Sequence, residues 1–179
     1  EDDPPGPVAQ HPCGSSWIGE TYRDEEWLDI VGYQSSHSRS ERVINWINRG
    51  PMSRQWDRLP PRPIMNLEPN YEQIRNEFFA EDVRRASYWS LLATPISGLT
   101  YGHNSIWPWL YQGEVILNHE KTEGYPPWEQ AIHAPGSTQM GFLGELMRSL
   151  EWWKYRPAQE LLAVQPGDSA YDRFIAIAS

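Results

Sequence analysis

A single cysteine, Cys13, stands in this 179-residue chain. It excludes an intrachain disulfide and any cysteine-rich zinc site, and the expected reading is a buried or idle thiol. Positive charge is scarce too: 15 Lys and Arg face 24 Asp and Glu, giving a net charge of −9 and a pI near 5.0. Nucleic-acid binding needs a clustered excess of Lys and Arg to neutralise phosphates, so that partner is excluded. No apolar run approaches the ~18 residues of a bilayer helix, which excludes a membrane-spanning helix. Neither the dinucleotide-binding nor the P-loop glycine pattern occurs, so no nucleotide cofactor is expected. Fixed-period repeats and low-complexity tracts are also missing. Residues 1–7 (EDDPPGP) carry no signal-peptide pattern, and the last residues cut off an apolar run as it begins. The expectation is a chain truncated at both ends.

What is plentiful is aromatic: ten Trp, nine Tyr and four Phe. Aromatic rings fill cores, and their faces also stack on the apolar C–H faces of sugar rings and line ligand pockets. The composition raises a carbohydrate ligand without establishing one.

Strand and helix signals alternate. Residues 27–34 (WLDIVGYQ) form a short apolar, β-branched run that predicts a buried strand. Val43, Ile44 and Ile47 then repeat at helical spacing behind Ser40 as N-cap, predicting a helix over 40–48. A second strand is predicted over 61–67 (PRPIMNL), a helix with an acidic first turn over 80–93, and a third strand over 96–101 (ISGLTY). Residues 102–125 read as a long irregular loop holding Trp107, Trp109 and Tyr111, and loops of that length in compact domains are mostly functional. Helices are expected over 127–133 and 137–153. Alternation of this kind implies an α/β fold with a parallel sheet covered on both faces.

In such folds functional groups gather where strands end. The strand ends offer His11, then Gln34 and His37, then Glu68 to Glu72, then Tyr101 to Trp107. Glu68 leaves an apolar strand directly and precedes Pro69, which biases it away from helix and fixes its exit angle. A carboxylate so placed attacks an anomeric carbon or activates water when a second carboxyl group serves as acid. The alternative is a structural Glu paired with Arg62, Arg84 or Arg85. Glu72 is either a supporting group or a solvated charge. His11, His37 and His103 lack the short paired spacing of metal ligands, so no metal is expected. Cys13 beside His11 has no marks of an activated nucleophile.

The segments His11-Pro12, WLDIVGYQSSH, PIMNLEPNYE, DVRRASYWSLLA and GLTYGHNSIW, in that order, resemble the apiosidase-like glycoside hydrolases. This group, long catalogued as a domain of unknown function, includes glycoside hydrolase family 140, and the resemblance runs over roughly residues 8–165. It implies a partial (β/α)8 TIM barrel, strands five to eight with their helices, because 179 residues fall short of the ~250 of a complete barrel. Residues 1–165 would be the C-terminal half of the catalytic domain, and 166–179 the start of a following β-rich domain.

By that registration His11 closes strand five, Gln34 to His37 follow strand six, Glu68 ends strand seven, and Tyr101 to Trp107 follow strand eight. Glu68 takes the place of the nucleophile or base. His11, Gln34, His37, Tyr71, Glu72, Tyr101, His103 and Trp107 would bind substrate. The acid of the family lies at the end of a fourth strand outside this sequence. The expected partners are therefore a carbohydrate substrate and the N-terminal half of the same barrel, and the fragment alone is expected to be inactive and prone to associate through unpaired edges. The implied activity is hydrolysis of O-glycosidic bonds in plant-type polysaccharide side chains, for which a secreted or periplasmic setting is natural. The rival from another class is a non-catalytic carbohydrate-binding barrel.

Overall fold

The computed structural model describes residues 6–115 and 124–179; residues 116–123 of the expected aromatic loop lie outside the described residues. In chain order the elements are β1 (Ser16–Trp17), α1 (Gly19–Tyr22), β2 (Val31–Gln34), α2 (Glu41–Arg49), α3 (Pro51–Gln55), β3 (Ile64–Glu68), α4 (Ala80–Ala93), β4 (Gly98–Leu99), α5 (Trp128–Ala131), α6 (Pro135–Ser149), β5 (Arg156–Pro157) and β6 (Ile177–Ala178). This is a mixed α/β chain built on a sheet of order β1-β2-β3-β4, in which β2, β3 and β4 run parallel. Ala9 adds a parallel bridge to Ile30.

The helices follow the sequence logic closely. Ser40 caps α2, its Oγ accepting the Val43 N–H at 3.4 Å, and Val43, Ile44 and Ile47 point inward. Helix α4 spans the predicted residues, with Asp82 reaching back to accept the Phe79 N–H at 3.0 Å. Val43 and Ile47 pack on Ala86 with Trp46 and Trp89 alongside, which joins α2 to α4 on one side of the sheet. The main core joins Leu28, Val31, Tyr33, Met52, Ile64 and Ile96, with Trp17, Tyr22, Trp46 and Trp56 against it. Each fully buried side chain of this kind contributes about 1.5–3 kcal/mol. Trp17, Trp46, Trp56 and Trp89 thus serve as partly buried packing around the core.

The strands depart from expectation in extent. The run at 27–34 is ladder only from Ile30, because residues 22–28 fold into turns in which Glu25 N–H bonds Tyr22 O and Leu28 N–H bonds Glu25 O. The run at 96–101 narrows to Gly98–Leu99, although Ser97 and Thr100 still donate to Ile64 and Asn66 of β3. The antiparallel β1 was not anticipated; only two residues long, it carries no periodic signal. Helix α6 begins at Pro135 rather than 137, since proline suits the first helical position, and ends at Ser149, four residues before the expected 153.

In the C-terminal stretch, Ile177–Ala178 pairs antiparallel with Arg156–Pro157. Ser169 Oγ donates to Glu41 Oε1 at 2.6 Å, the Tyr171 hydroxyl donates to Arg39 O, and the Tyr171 ring meets Trp89 edge-on at 6.3 Å. Cys13 is exposed, against the buried alternative, and has no disulfide partner. No helix among the described residues is long and apolar enough to cross a membrane.

Candidate functional site

Glu68 is the last residue of β3, and the strand delivers its carboxylate to the sheet's C-terminal end, four-fifths buried. A register shift between Tyr33 and Gln34 places Gln34 directly beside Glu68 where an uninterrupted ladder would offer Leu67. Beneath it, the buried Asn66 amide donates to Ser35 Oγ and Ser90 Oγ, both at 3.0 Å, and its Oδ1 accepts the Glu68 N–H at 3.3 Å. That network joins β2, β3 and α4 under the carboxylate and fixes where the strand releases it.

Two imidazoles meet the carboxylate. His37 Nε2 lies 2.8 Å from Oε1 and His11 Nε2 lies 3.3 Å from Oε2. His37 is held in turn, its Nδ1 accepting the Tyr71 N–H at 3.1 Å while its ring lies 4.6 Å from the Tyr71 ring. Asn70 Oδ1 accepts the Ser38 N–H at 2.9 Å, which clamps the loop after β2 to the loop after β3. Burial, and then the Glu68 charge, push the Tyr71 hydroxyl up to about 12, so it stays a phenol. The arginines that offered a structural pairing are committed elsewhere: Arg62 to Glu25 O, Arg84 to Gln139 and Arg85 to Asp82. Glu68 is gripped by histidines.

The other candidates form a second group. Glu72, 2% exposed, accepts the Tyr101 hydroxyl at 2.7 Å, and both its oxygens lie close to the Gly136 N–H, at 3.1 and 2.9 Å. Its backbone bridges in parallel to His103, whose ring is fully buried and accepts the Ser105 N–H at Nδ1. Burial lowers His103 to about 4, so this ring is neutral. Burial first, then the hydrogen bond and charge of Glu72, raise the Tyr101 hydroxyl beyond its ordinary range. Glu72 and His103 are therefore placed to support loops rather than to touch a ligand. Trp107 is partly exposed in the turn after His103. In the same turn Trp109, more than half exposed and with φ of 53°, is braced edge-on by Trp128 at 4.9 Å.

The structure thus brings His11, Gln34, His37, Glu68 and Tyr71 together, and Glu72, Tyr101 and His103 into a buried set behind the loops. Asn66, Asn70 and Gly136 went unremarked in the sequence, because their partners lie 24 to 64 residues away. The described residues hold no group of three or more His, Cys, Asp or Glu arranged to bind a metal. An apolar hollow of about 300 Å³ between β4, α4 and α6, lined by Leu91, Ile96, Leu99, Leu143 and Trp152, does not include Glu68.

The profile of the apiosidase-like catalytic domain matches residues 1–154. The chain belongs to that family. Two solved structures align with this apiosidase-like chain over 96% of its length. One, described as a glycoside hydrolase, has 30% identity and a TM-score of 0.82. The other, a glycoside hydrolase family 5 protein from Bacteroides vulgatus ATCC 8482, has 31% identity and a TM-score of 0.79. The chain covers 42% and 40% of their lengths, about two fifths of each. No curated protein matches it.

Proposed function

We propose that this apiosidase-like chain supplies the second half of a (β/α)8 barrel, strands five to eight, and with it one of the two carboxyl groups that cleave an O-glycosidic bond in plant-type polysaccharide side chains. Glu68 acts as nucleophile or base. The observation that carries this reading is its position: a strand-end carboxylate, partly open to solvent, held by two imidazoles rather than neutralised by arginine. A fixed carboxylate beside the sugar stabilises the positive charge that develops at the anomeric carbon, then either bonds to that carbon or takes a proton from the attacking water.

In this reading His37 N–H steadies Oε1, and His11, Gln34, Tyr71 and Trp107 frame the sugar. Glu72, Tyr101 and His103 position loops. The acid that protonates the leaving oxygen belongs to the first half of the barrel, whose strand ends face Glu68 across the site. A carboxyl separation of about 5.5 Å would fit a retaining mechanism, and one above roughly 6.5 Å an inverting one.

The exposed Trp107, Trp109 and Tyr111 favour a second reading, a carbohydrate-binding barrel without catalysis. The test is hydrolysis of aryl glycosides and pectic side-chain oligosaccharides by the full-length protein and its Glu68→Gln variant. Loss of at least ~10³-fold in kcat with binding retained supports the enzyme. Oligosaccharide binding with no hydrolysis by the parent protein supports the binder.

A further inference from the structure

The two imidazoles on Glu68 are chemically unlike, and their far nitrogens decide how. His37 Nδ1 accepts the Tyr71 backbone N–H, so its ring proton is on Nε2, and that N–H donates to Glu68 Oε1. A neutral His37 satisfies both contacts. His11 is wired in reverse. Its Nδ1 lies 3.1 Å from the Pro12 carbonyl oxygen, an acceptor with no proton to give, so Nδ1 carries the proton. In a neutral ring Nε2 is then a bare lone pair, 3.3 Å from the carboxylate oxygen Oε2. Two acceptors face each other there, and only a further proton makes the contact attractive.

We infer that His11 and Glu68 share that proton, which makes His11 a positioning residue whose hold on the carboxylate is switched by protonation. The inference rests on Glu68 being the reacting carboxylate. His37, from the loop after β2, meets Glu68, and the Tyr71 phenol, from the loop after β3, lies within reach of its charge. His37 is fixed as a neutral donor by the Tyr71 amide, and the phenol stays protonated, so neither supplies the shared proton. His11 is about half exposed and exchanges its proton with water directly. With the proton in place Oε1 and Oε2 are both tied, and the carboxylate plane is set. When it leaves, His37 alone holds Oε1 and the carboxylate is free to turn about that contact.

The test is histidine ¹⁵N NMR of the full-length protein, in which long-range ¹H–¹⁵N correlations report which ring nitrogen bears hydrogen. In the parent protein, His37 should keep a bare Nδ1 and a protonated Nε2. His11 should lose its Nε2 proton as pH rises and keep the one on Nδ1. In Glu68→Gln the side-chain amide donates to a neutral His11, so His11 should give up its Nε2 proton more readily than in the parent protein, with His37 unchanged. A neutral His11 with its proton on Nε2, or a His11 titration that Glu68→Gln leaves in place, overturns the inference.

The tautomer in the parent protein needs no variant, so a misfolded Glu68→Gln leaves the question decidable. Activity reads separately. With an aryl glycoside whose leaving group needs no protonation, His11→Gln should lose the alkaline fall in kcat/KM, because its amide donates at every pH. Failure of Glu68→Gln to reduce hydrolysis would sink the proposed function while leaving the NMR result to decide the proton.

Discussion

Glu72 lays its carboxylate across the backbone N–H of Gly136, with Oε1 and Oε2 at 3.1 and 2.9 Å, so a residue from the loop after β3 caps a helix 64 positions later. Gly136 is the second residue of α6, where the amide would otherwise be unsatisfied and the helix dipole favours negative charge. The Tyr101 hydroxyl completes the arrangement at 2.7 Å. Glu72→Ala should therefore lower unfolding stability by roughly 2–4 kcal/mol in urea titrations, since it strips a buried helix end of a charged acceptor. Gly136→Ala should act through the same contact, because a Cβ there would lie 2.3 Å from Glu72 Oε2. Equal stability of the parent protein and Glu72→Ala would remove Glu72 from this role.

That contact marks the limit of what the sequence could reveal. Local signals held: Ser40 caps its helix, α4 spans the predicted residues, and Glu68 ends its strand. The candidates also came from strand ends, where the structure keeps them. What failed to be legible is pairing over distance. Nothing local distinguishes Glu72, turned inward to α6, from Glu68, turned to the open end of the sheet. Nor does any spacing tell that His11 and His37, 26 positions apart by number, converge on one carboxylate while His103 is buried with its loop. Those outcomes depend on the register between β2 and β3, including a one-residue shift at Gln34 that no pattern announces.

Gly102 is set by its neighbour's ring. A Cβ at this position would sit 2.1 Å from the Tyr71 ring, far inside contact distance, and Gly102 O also accepts the Glu72 N–H at 2.9 Å. Gly102→Ala must displace Tyr71, and with it the amide that fixes the His37 tautomer. On the proposed function, the expected result in the full-length protein is a fall in kcat of about 10²-fold, the scale of a misplacement near 1 Å, with a smaller loss of stability. Near-parent activity in Gly102→Ala would mean that Tyr71 does not orient the site.

His37 bridges the Tyr71 amide and Glu68 Oε1, so its removal leaves a partly buried N–H and a carboxylate oxygen without partners. On the proposed function, His37→Ala in the full-length protein should cost roughly 1–3 kcal/mol in thermal or urea unfolding and about 10²-fold in kcat, with little change in KM. Loss of binding with kcat intact would instead make His37 a substrate contact.

His103 gives the chain a stability term with a definite pH window. Its ring is fully buried, Nδ1 accepts the Ser105 N–H, and burial lowers its proton affinity from the ordinary 6.5 to about 4. Between those values the unfolded chain binds a proton that the folded chain refuses, so stability is fully present above about 6.5 and declines as pH falls towards 4. At about 1.4 kcal/mol per unit, the whole decline amounts to about 3 kcal/mol. Carboxylates add their own acid dependence, so the informative comparison is with His103→Gln, which has nothing to protonate. Denaturant titrations of both proteins between pH 7 and pH 4.5 should show the parent losing about 2 kcal/mol more than the variant over that range. Parallel pH dependence in the two would mean that the ring accepts its proton in the folded state, and that the loop after β4 opens to let it.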